Sequence, residues 1–232
     1  MTTFFVTATG TEIGKTFITR ELVHALRVDQ RPTKAIKPII SGWDDDQIST
    51  SDTGELLTAL GVPQTASAID SMSPWRFKAP LSPHLAAAQE QRDISFDELM
   101  VVTKDFMTQE CAHSFIEGVG GVMVPIQYDF TVLDWMEAAA LPIVLVTGSY
   151  LGTLSHTLTA VEVIKRRNLS ISALLINAST EDTEPLLQTE STLRQLLPEL
   201  TIFSLPYLTT PNSHFERSIT EPIIRHLDGI AP

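Results

Sequence analysis

The chain has 232 residues, with 16 lysines and arginines against 28 aspartates and glutamates, for a formal net charge of −12. A surface this acidic repels phosphate backbones and anionic bilayers, which argues against nucleic acid or a membrane as partner. At 43% hydrophobic and 19% charged residues, the composition supports one sizeable core, so a single domain over residues 1–232 is expected, with no disorder and no bilayer-crossing run.

Cys111 is the single cysteine, so no disulfide can close within the chain and a reducing compartment fits. The residues from Met1 to Val6 place no basic segment ahead of their apolar ones, unlike a signal peptide, and the cytoplasm is the expected address.

In chain order, Phe4–Val6 reads as the first strand. From Lys15 to about Arg27 the apolar residues follow a helical period, with Ile18, Leu22, Val23 and Leu26 on the buried face. Ala35–Ile36 is a second strand, closed by Lys37–Pro38. A helix over Asp52–Leu60 stops at Gly61, a plausible C-cap. Ser95 and Glu98 have capping-box spacing and open a helix reaching about Glu110, inside which Cys111 reads as an inert apolar filler. Phe115–Ile116 leads into Glu117–Gly118. Ile143–Val146 is a short apolar strand buried on both faces. A helix from Thr153 to Arg167 carries Leu154, Leu158, Val161 and Ile164 on one stripe. Leu174–Ile176, a helix over Thr183–Leu197 and the strand Ile202–Phe203 complete the pattern. Strands separated by helices of this length predict an α/β fold, a parallel sheet flanked by helices on both faces.

The first strand meets the first helix at Gly10-Thr11-Glu12-Ile13-Gly14-Lys15-Thr16. Glycine there lets backbone amides approach phosphate oxygens closely. The helix N-terminus adds a partial positive charge and Lys15 a full one, while the Thr16 hydroxyl is placed to ligate magnesium. The usual eight-residue pattern would have glycine where Thr9 stands. The phosphates of Mg-ATP are the expected ligand.

Other residues admit two readings. Asp52 is a metal ligand or the N-cap of its helix. Lys37 is a second active-site cation or a surface lysine at a strand end. Gly118-Val119-Gly120-Gly121 lets amides approach a ligand or forms a plain turn. Asn177 reads an adenine edge or sits in a turn. His84 and His156 lack zinc-site spacing and read as structural. Asp44-Asp45-Asp46 reads as a solvated loop, and Trp43, Trp75 and Trp135 as packing residues.

Taken as spaced blocks, Thr11–Thr16, Lys37–Gly42, Ser51-Asp52-Thr53, Pro80–His84, Glu117–Gly121, Leu151–His156 and Asn177 resemble the dethiobiotin synthetase family, of P-loop NTPase type. The resemblance runs from about residue 3 to residue 180, with Leu205-Pro206-Tyr207 the recognisable stretch beyond. It implies ATP-dependent ring closure on 7,8-diaminononanoate with CO2, through a carbamate and a mixed carbamic-phosphoric anhydride, to give dethiobiotin, ADP and phosphate.

The resemblance implies residue roles as well. Lys37, Lys15, Thr11 and Ser41 would be catalytic. Glu12, Ile13, Gly14, Lys15, Thr16, Phe17, Asp52, Glu117, Gly118, Gly120, Asn177 and Pro206 would bind ATP. Thr11, Lys37, Ser41, Gly118, Val119, Leu151, Gly152, Thr153 and Ser155 would bind substrate. Thr16, Asp52 and Glu117 would hold Mg2+. The loop at Leu151 would serve a partner subunit, so a homodimer with its active site at the interface is implied.

The chain departs from the family at Ala8, usually glycine, and at Gly10, usually an aspartate that helps hold the metal. Three alternatives stay open: a partition-type ATPase switch, a relative that binds nucleotide without closing the ring, and another amide- or ring-forming ligase of the same superfamily acting on a different acid. Thr11 and Glu12 stand where a partition ATPase carries an extra lysine, and Lys15, Lys37, Asp52 and Glu117 together argue against loss of catalysis. Asn212, Ser213 and Glu216 are further candidates without a clear motif.

Overall fold

The computed structural model describes residues 2–208 and 214–229; Asn212 and Ser213 lie outside them. Its elements in chain order are β1 (Thr2–Ala8), α1 (Lys15–Val28), β2 (Thr33–Ile36), β3 (Ile39–Ser41), α2 (Asp52–Leu60), α3 (Ala66–Met72), β4 (Trp75–Phe77), α4 (Pro83–Gln89) and α5 (Phe96–Thr108). They continue through β5 (His113–Glu117), α6 (Val132–Ala139), β6 (Ile143–Gly148), α7 (Thr153–Arg166), β7 (Ile171–Asn177), α8 (Glu184–Leu196), β8 (Ile202–Leu205) and α9 (Arg217–Asp228). Six strands form one parallel sheet in the order β2-β5-β1-β6-β7-β8. The predicted α/β architecture is present.

Alternation along β1 sorts the core. Phe4, Val6 and Ala8 pack with α1 and α9 on one face, through Ile18, Leu22, Leu26, Ile223 and Leu227. Phe5 points the other way, into a cluster with Trp135, Val161, Ile164 and Leu193 from α6, α7 and α8. Its ring meets Trp135 edge-on at 4.7 Å, and burying such a ring contributes about 1.5–3 kcal/mol. In α7, Val161 and Ile164 are buried while Leu154 and Leu158 pack half-buried at its rim.

Caps explain several boundaries. Ser51 caps α2 by accepting the Gly54 amide at 3.1 Å, which leaves the carboxylate of Asp52 free for other work. Gly61 closes that helix in the left-handed region, at φ 69°. Ser95 accepts the Glu98 amide at the start of α5. The helix then ends at Thr108, so Cys111 lies half-buried in the connection to β5 and not inside the helix. A reciprocal capping box is present at Thr131 and Asp134, opening α6.

Beyond the expected elements, β3 and β4 pair as a separate two-stranded parallel sheet. Pro38 has no amide to donate, so the ladder of β2 cannot run on through it, and the chain leaves to join β4. Trp43, Trp75 and Trp135 are buried, as packing residues should be.

Candidate functional site

Strand order and register assemble the site at the carboxyl ends of the strands, where open α/β sheets hold ligands. β5 lies between β2 and β1, with Ile36 opposite Ile116 and Val6 opposite Glu117. Lys37, one residue past β2, therefore arrives beside Glu117, and both face the start of α1. Lys37 Nζ donates to Glu117 Oε1 at 2.7 Å, to Thr16 Oγ1 at 3.0 Å, and to Asp52 Oδ2. Thr16 Oγ1 in turn donates to Glu117 Oε1 at 2.5 Å. Lys37 is thus a buried site cation, not a surface lysine, at 5% exposure against 1% for Glu117.

Burial works to lower the Lys37 pKa, but Glu117 and Asp52 beside it raise it above the ordinary lysine value. Burial likewise works to raise the Asp52 carboxyl, and Lys37 holds it below the usual range. Such a cluster keeps its charges only because its members satisfy one another. One atom is left over: Glu117 Oε2 is buried and has no hydrogen-bond partner among the described residues.

The phosphate loop crosses the front of this cluster. Glu12 and Gly14 sit in the left-handed region, at φ 58° and 95°. Gly14 starts α1 with no side-chain cap, so the first amides of the helix keep no intrahelical partner. A Cβ at Gly14 would come within 2.4 Å of Asn177 Nδ2, which donates to Ile13 O at 3.1 Å. That bond ties the end of β7 to the loop. Lys15 Nζ donates to Gly10 O at 3.2 Å.

The Lys15 pKa is pushed down to about 8, first by burial and then by the charge of Lys37, against the pull of Glu117 and Asp52. In the ligand-free protein its charge is therefore lost as pH rises through about 8. Affinity for ADP is expected to fall by up to about thirtyfold between pH 7.5 and 9.5, measured by calorimetric titration. A flat affinity over that range would show that Lys15 keeps its proton.

A cavity of about 840 Å³ opens over the loop, lined by Thr11, Glu12, Gly14, Lys15, Thr16, Phe17, Lys37, Ser41, Asp52, Val119 and Gly120 from the expected set. Ser41 Oγ is buried there and has no hydrogen-bond partner among the described residues. The wall also takes in Ile40, Glu55, Val124 and the turn from Pro80 to Pro83. Glu55 was not singled out in the sequence, though it lies three residues after Asp52 on the same helix and so shares its face. A second concavity, about 560 Å³, lies between α1 and α9. Its Arg31, Arg217 and Arg225 each pair with an acid.

Other expected residues stand apart from the cavity. Glu117 lies behind Thr16 and Lys37. The Gly118 amide donates to Val6 O at 2.9 Å, which corrects the expectation of a free amide there. The turn needs its glycines for packing, since a Cβ at Gly121 would come within 3.1 Å of Gly10 Cα. Pro206 follows β8, whose Leu205 lies opposite Asn177. Leu151, Gly152 and Ser155 are exposed at the start of α7, away from the cavity lining. Thr153 is buried, its hydroxyl donating to Gly148 O at 2.8 Å. His84 and His156 each have a protein partner, Pro125 O and Tyr150 Oη among them. Among the described residues no group of three or more His, Cys, Asp and Glu could hold a metal by itself, and no helix is long and apolar enough to cross a membrane.

Comparison with known proteins agrees with this geometry. Residues 2–213 match the family model described as an AAA domain. The ATP-dependent dethiobiotin synthetase BioD of Phenylobacterium zucineum is 41% identical over 208 residues, covering 89% of each chain. That of Legionella pneumophila subsp. pneumophila is 33% identical, covering 85% of this chain and 90% of its own. Among solved structures, the cell division ATPase MinD of Pyrococcus furiosus shares the fold over 100% of both chains, with a TM-score of 0.59 at 13% identity. With a phosphate loop, its cation cluster and relatives that align nearly end to end, the chain belongs to the ATP-dependent dethiobiotin synthetase family.

Proposed function

We propose that the protein is a dethiobiotin synthetase, using ATP and CO2 to close the ureido ring on 7,8-diaminononanoate and releasing dethiobiotin, ADP and phosphate. The observation that carries this reading is the buried Lys37, aimed into the phosphate-loop cavity and braced by Glu117, Thr16 and Asp52. Relatives at 33–41% identity are named for this activity, whereas partition ATPases share only the fold, at 13% identity for the ParA family ATPase of Chlorobium tepidum.

The chemistry brings one anion onto another, so positioning and positive charge matter more than a covalent nucleophile. One amine of the substrate adds to CO2 and loses a proton, giving a carbamate. A carbamate oxygen attacks the γ-phosphorus and ADP leaves. The second amine then attacks the carbamoyl carbon and loses a proton, phosphate departs and the ring closes. Lys15 neutralises the outer phosphates and Lys37 bridges carbamate and γ-phosphate. Thr11 and Ser41 hold the carbamate, for which the unpaired Ser41 Oγ is suited. Asn177 and Pro206 receive the base, beside the loop that Asn177 already touches.

Thr16, Asp52 and Glu117 offer oxygen donors of the kind magnesium prefers, and the unpaired Glu117 Oε2 is an acceptor that a cation would satisfy. Neutralising charge on the phosphates is the chemistry such an ion supplies there. A Cβ at Gly10 would meet only Ile13 side-chain carbons, at 3.7 and 3.8 Å, so a side chain fits. Gly10→Asp is expected to tighten magnesium binding to the ADP complex roughly tenfold; unchanged or weaker affinity by titration would sink the idea. We also read the exposed Leu151, Gly152 and Ser155 at the start of α7, outside the cavity lining, as serving a partner subunit in a homodimer, and the cytoplasm as the site of action.

The direct test supplies 7,8-diaminononanoate, carbon-labelled bicarbonate, magnesium and ATP, and follows the organic product by mass spectrometry. Labelled dethiobiotin is expected. ATP binding with no ring closure at any magnesium concentration would overturn the reading.

A further inference from the structure

Buried threonine hydroxyls meet behind the phosphate loop, and no step above uses Thr9 or Thr147, which join it to them. Thr147 near the end of β6 and Thr157 in α7 are both 0% exposed, and Thr153 at the start of α7 is 2% exposed. Thr147 Oγ1 lies 2.7 Å from Thr157 Oγ1, 2.9 Å from Thr153 Oγ1 and 3.2 Å from Thr9 Oγ1. Thr9 follows the last residue of β1, and its amide extends that ladder by donating to Val146 O at 3.0 Å. Since Ala8 lies opposite Val146, the same register brings Thr9 to Thr147.

Proton count gives each of these bonds a direction. A threonine hydroxyl has one proton to donate and lone pairs with which to accept. Thr153 donates its proton to Gly148 O at 2.8 Å, and Thr157 donates its own to Thr153 O at 2.7 Å. Both therefore meet Thr147 as acceptors, and the Thr147 proton goes to one of them. Thr9 is then the donor to Thr147. The consequence falls on the phosphate loop. Gly10, the next residue, has no side chain to hold the loop, and its carbonyl accepts from Lys15 Nζ at 3.2 Å. A donor left facing this buried group without an acceptor is costly. Thr147 thus selects the Thr9 rotamer, and with it the setting of the Thr9–Gly10 peptide.

We propose that Thr147 is a positioning residue for the phosphate loop, holding Thr9 through a directed chain of hydroxyl bonds anchored on α7. The inference rests on the ATP-binding reading above. In the full-length protein, Thr147→Val keeps the side-chain shape and takes away the acceptor of Thr9, while Thr153 and Thr157 keep theirs. Affinity for ATP and for inorganic tripolyphosphate is expected to fall by the same factor, about fivefold, because the loop binds what the two share. The KM for ATP should rise likewise, with kcat and the KM for diaminononanoate within about twofold of wild type. Thr147→Ser, which keeps the hydroxyl, should restore the affinity. Thr157→Val should leave it unchanged, because the Thr147 proton then turns to Thr153. Thr9→Val should match Thr147→Val, and the double variant should lose no more than either alone. If Thr147→Val fails to fold, Thr9→Val against Thr9→Ser carries the same test at a half-buried position. Unchanged phosphate affinity in Thr147→Val would overturn the proposal, as would a serine that fails to rescue or an equal loss from Thr157→Val. If the wild-type protein bound neither ATP nor tripolyphosphate, the underlying reading would fall and this proposal with it.

Discussion

Lys37→Met is expected to lower dethiobiotin formation by about 10²–10³-fold, the scale on which single charge-stabilising donors act in such sites. The same change should destabilise the ligand-free protein by about 3–5 kcal/mol, because it leaves Glu117 buried without its counter-ion. Glu117 is 1% exposed and accepts from Lys37 and Thr16 on the same oxygen, so the hydroxyl alone must then support the charge. Urea unfolding of both proteins without nucleotide measures the second effect. Loss of activity with unchanged stability would mean that the fold does not depend on Lys37 to hold Glu117.

Lys15→Met should behave in the opposite way on stability. ATP binding is expected to weaken by 100-fold or more, since one cation is lost from the phosphates in a water-poor site. The ligand-free protein, however, should gain up to about 3 kcal/mol at pH 7. The sign follows from the pKa. Burial and Lys37 bring Lys15 down from 10.5 to about 8 in the folded protein, so at pH 7 the fold holds a proton it disfavours. Among the described residues its bond in compensation is to Gly10 O at 3.2 Å. Between about pH 8 and 10.5 the unfolded chain binds more protons than the folded one, so wild-type stability should rise with pH across that window. The methionine variant should lose this rise. A variant less stable than wild type at pH 7 would show that packing by the lysine stem outweighs the cost of its charge. The two lysines thus separate a cation stabilised by its neighbours from one strained toward its ligand, a division common where function sets the charge.

The legible parts of the molecule were those carried by contiguous residues. Helices α1 and α2 follow from a 3.6-residue period and a terminal glycine, and their predicted boundaries fall within a residue or two of those observed. Helix α9 escaped because Pro222 lies inside it, which in a bare sequence argues for a break. Strands β3 and β4 have three residues each, too few for any period to emerge. In sequence Cys111 reads as part of α5, because nothing in Gln109 or Glu110 announces the end of a helix.

The phosphate loop and the family blocks were likewise written in short runs, because backbone chemistry at a loop demands particular residues at fixed spacing. What those runs left open was how the blocks meet. Thr16 and Glu117 are 101 residues apart, Lys37 and Glu117 are 80 apart, and Thr9 and Thr147 are 138 apart. Each contact exists because β5 inserts between β2 and β1, or because β6 pairs with β1 on its other edge. Asp52 could be read as a cap until Ser51 was found in that role. The Gly118 amide could be read as free until register gave it Val6 O. Periodicity, caps and loop chemistry are local, and the sequence by itself determined them: the α/β class, the phosphate loop and the membership they suggested. The charge cluster around Lys37 and the hydroxyl chain through Thr147 depend on strand order, register and burial, which the tertiary structure alone decided, since no local pattern records which distant residues will share a desolvated space.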